Sequence, residues 1–269
     1  MITVATTGAE LSKEQWPQLP TTLDELVAQA KECEAAGAAL IHVHIRDGQG
    51  RPSLDVARLK DTVAALREQT GLIVQLSTGG SVHDPLPARL AVLEAEPDSC
   101  SLTCGTVNFG DEVFTNPWPF MVELFEAARQ AQVVPEFELF DLGQVASLAR
   151  LLDTCGLPFG GRVHCDFVLG VPGGMPGTPQ ALVAGVQALP PEVTSWSATG
   201  IGRAHLPVLA TALALGGHVR VGMEDNPVYA RGRPVTGNAE LVERAARIAA
   251  ELQRPPMSPA QARGLLAVR

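Results

Sequence analysis

Residues 22–47 read TLDELVAQAKECEAAGAALIHVHIRD, and this stretch decides the fold. Its first half predicts a helix over Leu23–Ala36, because Leu23, Leu26, Val27, Ala30 and Cys33 recur at helical spacing. Thr22, with Glu25 three residues later, makes a capping box at its start, and Gly37 supplies the stop. The second half predicts a strand over Ala39–His44. The unit is therefore a helix feeding a strand after a turn of two or three residues, the signature of a parallel α/β sheet. Within that strand, residues two apart project to the same face, so His42 and His44 point the same way, with Arg46 following. Two imidazoles on one strand face are placed to share a divalent metal, and zinc suits such donors.

The same alternation runs through the chain. Further strands are expected at Ile2–Thr7, Leu72–Leu76, Ser99–Thr103, Val133–Leu139, Arg162–Leu169, Thr194–Ala198 and His218–Gly222. Helices are expected near Val56–Gln69, Ala88–Glu94, Phe120–Ala131, Gln144–Thr154, Gln180–Ala188 and Leu206–Leu215. A last long helix carries Leu241, Ala245, Ile248 and Leu252 on one face. Eight strand–helix units over 269 residues predict a closed (β/α)₈ TIM barrel spanning 1–269 as one domain, with a short capping helix at about 258–267. An open doubly wound sheet would not need eight even units.

Such a barrel places its chemistry at the C-terminal ends of several strands. Polar residues gather there: Glu10 after the first strand, His42 and His44 on the second, Ser77 to Gly80 after the third, Ser101 and Thr103 on the fourth. Glu136 and Glu138 lie on the fifth, His164 and Asp166 on the sixth, and Arg220, Glu224 and Asp225 on or after the eighth. So many interior polar groups are costly to bury unless paired or used. A catalytic zinc needs a third protein ligand, and Glu10, Glu138, His164, Asp166, Glu224 and Asp225 are all candidates. Arg220, inside a strand, needs a carboxylate partner such as Glu138 or Asp225. Glycine-rich loops at Gly170–Gly177 and Gly200–Arg203 are placed to receive phosphate, with Gly173, Gly174, Gly202 and Arg203 as the candidate contacts.

Composition narrows the class. A net charge of −9 without a basic run argues against nucleic acid or an anionic membrane as partner. Five cysteines with no Cys-x-x-Cys pair fit a reducing cytoplasm better than a disulfide framework. No signal peptide and no membrane-length apolar run is expected. The three lysines, Lys13, Lys31 and Lys60, all fall outside the strands, which argues against a Schiff-base aldolase.

The motifs Thr7-Gly8-Ala9-Glu10, His42-Val43-His44-Ile45-Arg46, Ser77-Thr78-Gly79-Gly80, Asn108-Phe109-Gly110, Pro135-Glu136-Phe137-Glu138, Phe167–Met175, Gly200-Ile201-Gly202-Arg203 and Glu224-Asp225-Asn226 together resemble the β-keto acid cleavage enzymes. That family's prototype cleaves 3-keto-5-aminohexanoate in lysine fermentation. The resemblance runs in order through essentially the whole chain. It implies a zinc-dependent barrel that condenses a β-keto acid with acetyl-CoA to give acetoacetate and a new acyl-CoA. It implies zinc on His42, His44 and Glu224, and Asp225 as the base, aided by Ser77, Glu138 and Arg220. It also implies a substrate pocket that includes Glu10, Ser77, Gly80, Ser101 and Thr103, and assembly as a homo-oligomer, a tetramer. Glu10 matches the residue that reads the substrate's amino group, which favours a cationic acid. Ser101 and Thr103 depart from the prototype's Thr and Asn, and Asp166 replaces an uncharged residue.

Two other readings exist. Amidohydrolases also place His-x-His in a barrel, but on the first strand, with more histidines on strands five and six. A non-catalytic barrel binding CoA esters around a structural zinc would not need Asp225, Glu138 and Arg220 together.

Overall fold

The computed structural model describes residues 1–269. Eight parallel strands close into a barrel: β1 (Ile2–Ala5), β2 (Leu40–Val43), β3 (Ile73–Leu76), β4 (Ser99–Thr103), β5 (Val134–Leu139), β6 (Val163–Leu169), β7 (Val193–Gly200) and β8 (His218–Val221). Each strand pairs with its sequence neighbours, and β8 returns to β1 through Ile2–Val219, Thr3–Arg220 and Val4–Val221. The helices are α1 (Leu23–Ala36), α2 (Val56–Gln69), α3 (Leu86–Ala91), α4 (Trp118–Ala131), α5 (Leu142–Cys155), α6 (Pro179–Gln187), α7 (His205–Ala214), α8 (Asn238–Glu251) and α9 (Pro259–Leu266). The architecture is the (β/α)₈ barrel that the alternation implied.

The local signals act as read at α1, where Thr22 and Glu25 form the full capping box and Gly37 closes the helix at φ 110°. Elsewhere helices start earlier than their apolar periodicity suggests. α4 begins at Trp118 behind Pro117, and α5 begins at Leu142 because Asp141 caps it by accepting from the Gln144 amide. The third helix is short and tightens into a 3₁₀ turn over Val92–Ala95. Three small hairpins had no counterpart in the sequence reading, because their strands are only two or three residues long. They pair Ile45–Arg46 with Pro52–Ser53, Val107–Phe109 with Glu112–Phe114, and Val228–Ala230 with Arg233–Pro234.

The main apolar core lies between strands and helices, where Ile41, Val74, Leu102, Phe137, Phe167 and Val219 meet α-helical residues such as Leu66, Phe125 and Leu148. A second cluster seals the N-terminal end, where Ala262 and Leu266 of α9 pack with Leu40, Ile73 and Val134. Polar side chains therefore fill the barrel axis itself: His42, Gln75, Ser99, Ser101, Thr103, Glu136, Glu138, His164, Asp166, Ser197, Thr199 and Arg220 are all buried. No helix is long and apolar enough to cross a membrane.

Candidate active site

The strands deliver the site from several sides of the C-terminal mouth. β2 supplies His42, fully buried, and His44 follows where the strand breaks into its hairpin. The sequence left Glu224 on or after the eighth strand, and the structure puts it after. The strand ends at Val221, and Gly222, at φ +151°, lies so close to Ala5 that a Cβ would come within 1.9 Å of its carbonyl oxygen. Only glycine passes β1 there, and the chain then turns, with the Asp225 and Asn226 amides donating to the Gly222 carbonyl. This turn swings Glu224 back toward the axis and over Arg220, far closer than four residues of extended strand would allow.

The result is a cluster in which the ligand atoms of His42, His44 and Glu224 all lie within 4.8 Å of one another. The Nε2 atoms of His42 and His44 stand 3.7 Å and 3.5 Å from Glu224 Oε1. Glu224 Oε2 is buried with no hydrogen-bond partner. Two imidazole nitrogens and a carboxylate whose second oxygen is left without a partner make a three-ligand set of the kind that holds a divalent ion. Burial, followed by the nearby Arg220 charge, pushes the His42 pKa down to about 4, so its ring is neutral at pH 7, the form that binds metal. Burial alone would raise Glu224, but Arg220 and the two histidines outweigh it and hold the carboxyl well below its ordinary range.

Beside this cluster sits a second one built on Arg220. Its Nε donates to Asp225 Oδ2 at 3.0 Å and its Nη2 to Asp225 Oδ1 at 2.9 Å, a bidentate pair. It also contacts Glu224 and reaches Glu138 Oε1 at 3.4 Å. Both sequence-proposed partners of Arg220 are thus real. Burial raises Asp225 to about 6 and Glu138 to about 7, in each case opposed by Arg220. Two carboxyls poised near neutrality beside a fixed guanidinium form the kind of pair that moves protons in an enzyme.

A cavity of about 400 Å³ opens over both clusters. Glu10, His42, His44, Ser77, Gly80, Glu138, Gly202, Arg220, Glu224 and Asp225 line it, so most of the residues singled out in the sequence converge. Its opposite wall is apolar: Phe109, Phe114, Phe140, Val168, Val171 and Ile201. A larger groove of about 720 Å³ runs past Leu90, Asp98 and Gln132, at segments leading into strands, far from the strand ends that carry the chemistry.

Other residues land differently. Ser101 and Thr103 do not line the cavity; the Ser101 hydroxyl accepts from the Thr78 amide at 3.2 Å, and Thr103 donates to Glu138 Oε2 at 2.8 Å. They support the walls from behind. Asp166 is taken up by Ser197 and Thr199 and stays off the cavity. Gly173, Gly174 and Arg203 also lie outside its lining. A Cβ on Gly173 would meet the Asn108 carbonyl oxygen at 2.1 Å, and the Gly174 amide donates to Val171. The Gly202 amide donates to the Asp225 carbonyl at 2.9 Å, tethering the loop of the acid. Those glycines are explained by close packing and tethering. His164, one of the open ligand candidates, lies deeper, with Nδ1 2.7 Å from Ser195 Oγ. The sequence reading missed Arg46 as a clamp: its guanidinium donates to the carbonyls of Gly8 at 2.7 Å and Leu11 at 2.8 Å, fixing the loop that carries Glu10.

Fold and site define a barrel with a His₂Glu cluster, a buried carboxylate paired to an arginine and no lysine in its cavity. The model of the beta-keto acid cleavage enzyme family matches residues 1–268. The 3-keto-5-aminohexanoate cleavage enzyme of Acetoanaerobium sticklandii is 38% identical over 270 residues, covering 100% of this chain and 98% of that one. The 3-oxoadipate:acetyl-CoA acetyltransferase of Cupriavidus necator is 35% identical, over 99% of this chain and 94% of that one. The solved apo structure of ObcA superposes with a TM-score of 0.81 at 20% identity, over 94% of this chain and 66% of the longer ObcA chain, a likeness of fold. The chain belongs to the β-keto acid cleavage enzyme family. It is an acyltransferase, and this reading is favoured over the hydrolase and non-catalytic ones.

Proposed function

We propose that this chain uses zinc, held by His42, His44 and Glu224, to exchange acyl groups between acetyl-CoA and a cationic β-keto acid such as 3-keto-5-aminohexanoate. The observation that carries the reading is the meeting of the metal-ligating cluster and the Asp225–Arg220–Glu138 cluster in one cavity. When bound, the ion supplies Lewis acidity that polarises the substrate's carboxylate and keto oxygens.

The protein's own groups account for the rest. Asp225 takes the C2 proton, and Arg220 keeps its carboxylate aimed and stabilises the charge it gives up. The C2 enolate attacks the thioester carbonyl, a carbon–carbon bond forms, and CoA thiolate leaves. The thiolate adds to the original ketone, the C2–C3 bond breaks, and Asp225 returns its proton to C2. Acetoacetate and a new acyl-CoA result, with no net proton change. Ser77 and Glu138, both on the cavity wall, are placed to hold substrate oxygens during these steps. Glu10 faces the cavity from the loop that Arg46 clamps, which supports recognition of an ammonium group. Arg203, next to the mouth, is the contact offered to CoA phosphate. The free cysteines support a reducing cytoplasm as the setting, and we extend the proposal to a homotetramer.

The test incubates zinc-loaded protein with acetyl-CoA and a panel of cationic, neutral and anionic β-keto acids and measures acetoacetate. Acetoacetate should form fastest with the cationic members. None from any member would sink the cleavage reaction, and preference for a dicarboxylic acid would sink the cationic assignment alone.

A further inference from the structure

The back of the metal cluster is as ordered as its front. His42 sends Nε2 toward Glu224, so only Nδ1 is left for the protein. That atom lies 2.6 Å from Gln75 Oε1. Gln75 is fully buried, and its Nε2 donates to Ser99 Oγ at 3.2 Å. The arrangement follows from barrel register: His42 of β2 pairs directly with Gln75 of β3, and Gln75 with Ser99 of β4. A glutamine in the middle of a barrel is costly to bury unless both ends of its amide are paired, and both are.

The amide orientation and the histidine tautomer are coupled. With the carbonyl toward His42, the ring must carry its hydrogen on Nδ1, and Nε2 presents a lone pair toward Glu224 and His44. With the amide flipped, Nδ1 must accept, the hydrogen moves to Nε2, and the ligand position is blocked. Metal-binding histidines usually donate to a carboxylate or a carbonyl. A carboxylate here would add a charge to an axis that already holds Glu136, Glu138, Asp166, Glu224 and Asp225. Glutamine offers the same acceptor without that charge.

We infer that Gln75 is a positioning residue of the metal centre: its side-chain carbonyl, backed by Ser99, fixes His42 in the Nδ1–H tautomer that leaves Nε2 free for the ion. This rests on the zinc reading above. The experiment strips the protein with a chelator and measures zinc affinity by competition with a chromophoric chelator, together with the visible spectrum of the cobalt-substituted form. Gln75→Leu should weaken zinc by about 10–100-fold, the usual effect of losing such a partner, and alter the cobalt spectrum. Gln75→Glu, which keeps an acceptor in place, should hold zinc at parental affinity or tighter. If the leucine variant does not fold, Gln75→Asn withdraws the carbonyl by one methylene and is read the same way. Parental zinc affinity in the leucine or asparagine variant, or equal loss in the glutamate variant, would overturn the inference while leaving the metal centre standing. A parent protein that binds no zinc would bring down the metal reading and this inference with it.

Discussion

Gly8 is the position from which one methyl group should dismantle the candidate metal centre. It sits at φ +64°, and a Cβ there would lie 2.6 Å from Glu224 Cγ and 3.2 Å from Glu224 Cβ. Ordinary contact begins near 3.4 Å, so the Glu224 side chain falls short of clearance by roughly 0.8 Å. Metal–ligand distances tolerate only about 0.2 Å, a quarter of that displacement. The loop cannot simply swing away, because Arg46 holds the Gly8 carbonyl at 2.7 Å. Glu224 cannot retreat freely either, since Arg220 grips its carboxylate. Gly8→Ala should therefore weaken zinc by at least the roughly 10–100-fold seen when a supporting partner is lost. Turnover should drop by about 10²-fold, the usual effect of a 1 Å misplacement. The left-handed alanine adds about 1–2 kcal/mol of backbone strain, or roughly 2–8 °C in the unfolding midpoint for a chain of this size. Zinc affinity of the stripped variant and its melting without metal separate the two effects. A variant that melts lower yet binds zinc within about twofold of the parent would refute the reasoning, because Glu224 would then not be a ligand that the displacement disturbs.

Two further outcomes follow from the same geometry. Asp225→Asn keeps the shape of the base but not its charge, so it should retain zinc and lose about 10²–10⁴-fold in turnover; a zinc-free variant by metal analysis would contradict the assignment of base rather than ligand. His205 is pushed down to about 4, first by burial and then by Arg244, from an ordinary value of 6.5. Its folded pKa lies below its unfolded one, so its contribution is complete above pH 6.5 and is lost as pH falls toward 4, when the unfolded chain takes a proton the fold refuses. Urea unfolding at pH 7 and pH 4.5 should show the parent losing about 2–3 kcal/mol more than His205→Gln, and equal losses would count against it.

Most of the barrel was legible because each strand–helix unit is a local object. α1 announced itself through Thr22, Glu25 and Gly37, and the His42–His44 pair through strand parity. What lay beyond reach depended on closure. Glu138 and Asp225 stood as alternative partners of Arg220, and only closure shows that it reaches both, the former across 82 residues, and Glu224 besides. Glu224 reaches the axis through the turn that Gly222 makes against β1, a neighbour known only once the barrel closes. The family resemblance put Ser101 and Thr103 in the substrate pocket, and Asp166 stood among the open ligand candidates because it lies at the inward end of its strand. Parity gives the face, however, and not the depth, and their hydroxyl and carboxyl groups are consumed by Thr78, Glu138, Ser197 and Thr199.

The charge along the axis explains why these pieces belong together. Barrel interiors are ordinarily filled by branched apolar residues, yet this one buries Glu136, Glu138, Asp166 and Asp225, with Glu224 half-buried beside them, against a single buried axial guanidinium, Arg220. The fold relieves the excess in three ways. Burial raises Asp166 and brings Glu138 to about 7, so that protonation lightens the load. Arg220 is shared among Asp225, Glu224 and Glu138 instead of being spent on one partner. A divalent ion on His42, His44 and Glu224 would supply the remaining positive charge at the point where Glu224 Oε2 has no partner. An axis this acidic is costly as mere structure. On the proposed function it becomes intelligible, as an interior built to take a cation at its mouth and to keep a proton-accepting carboxylate beside it.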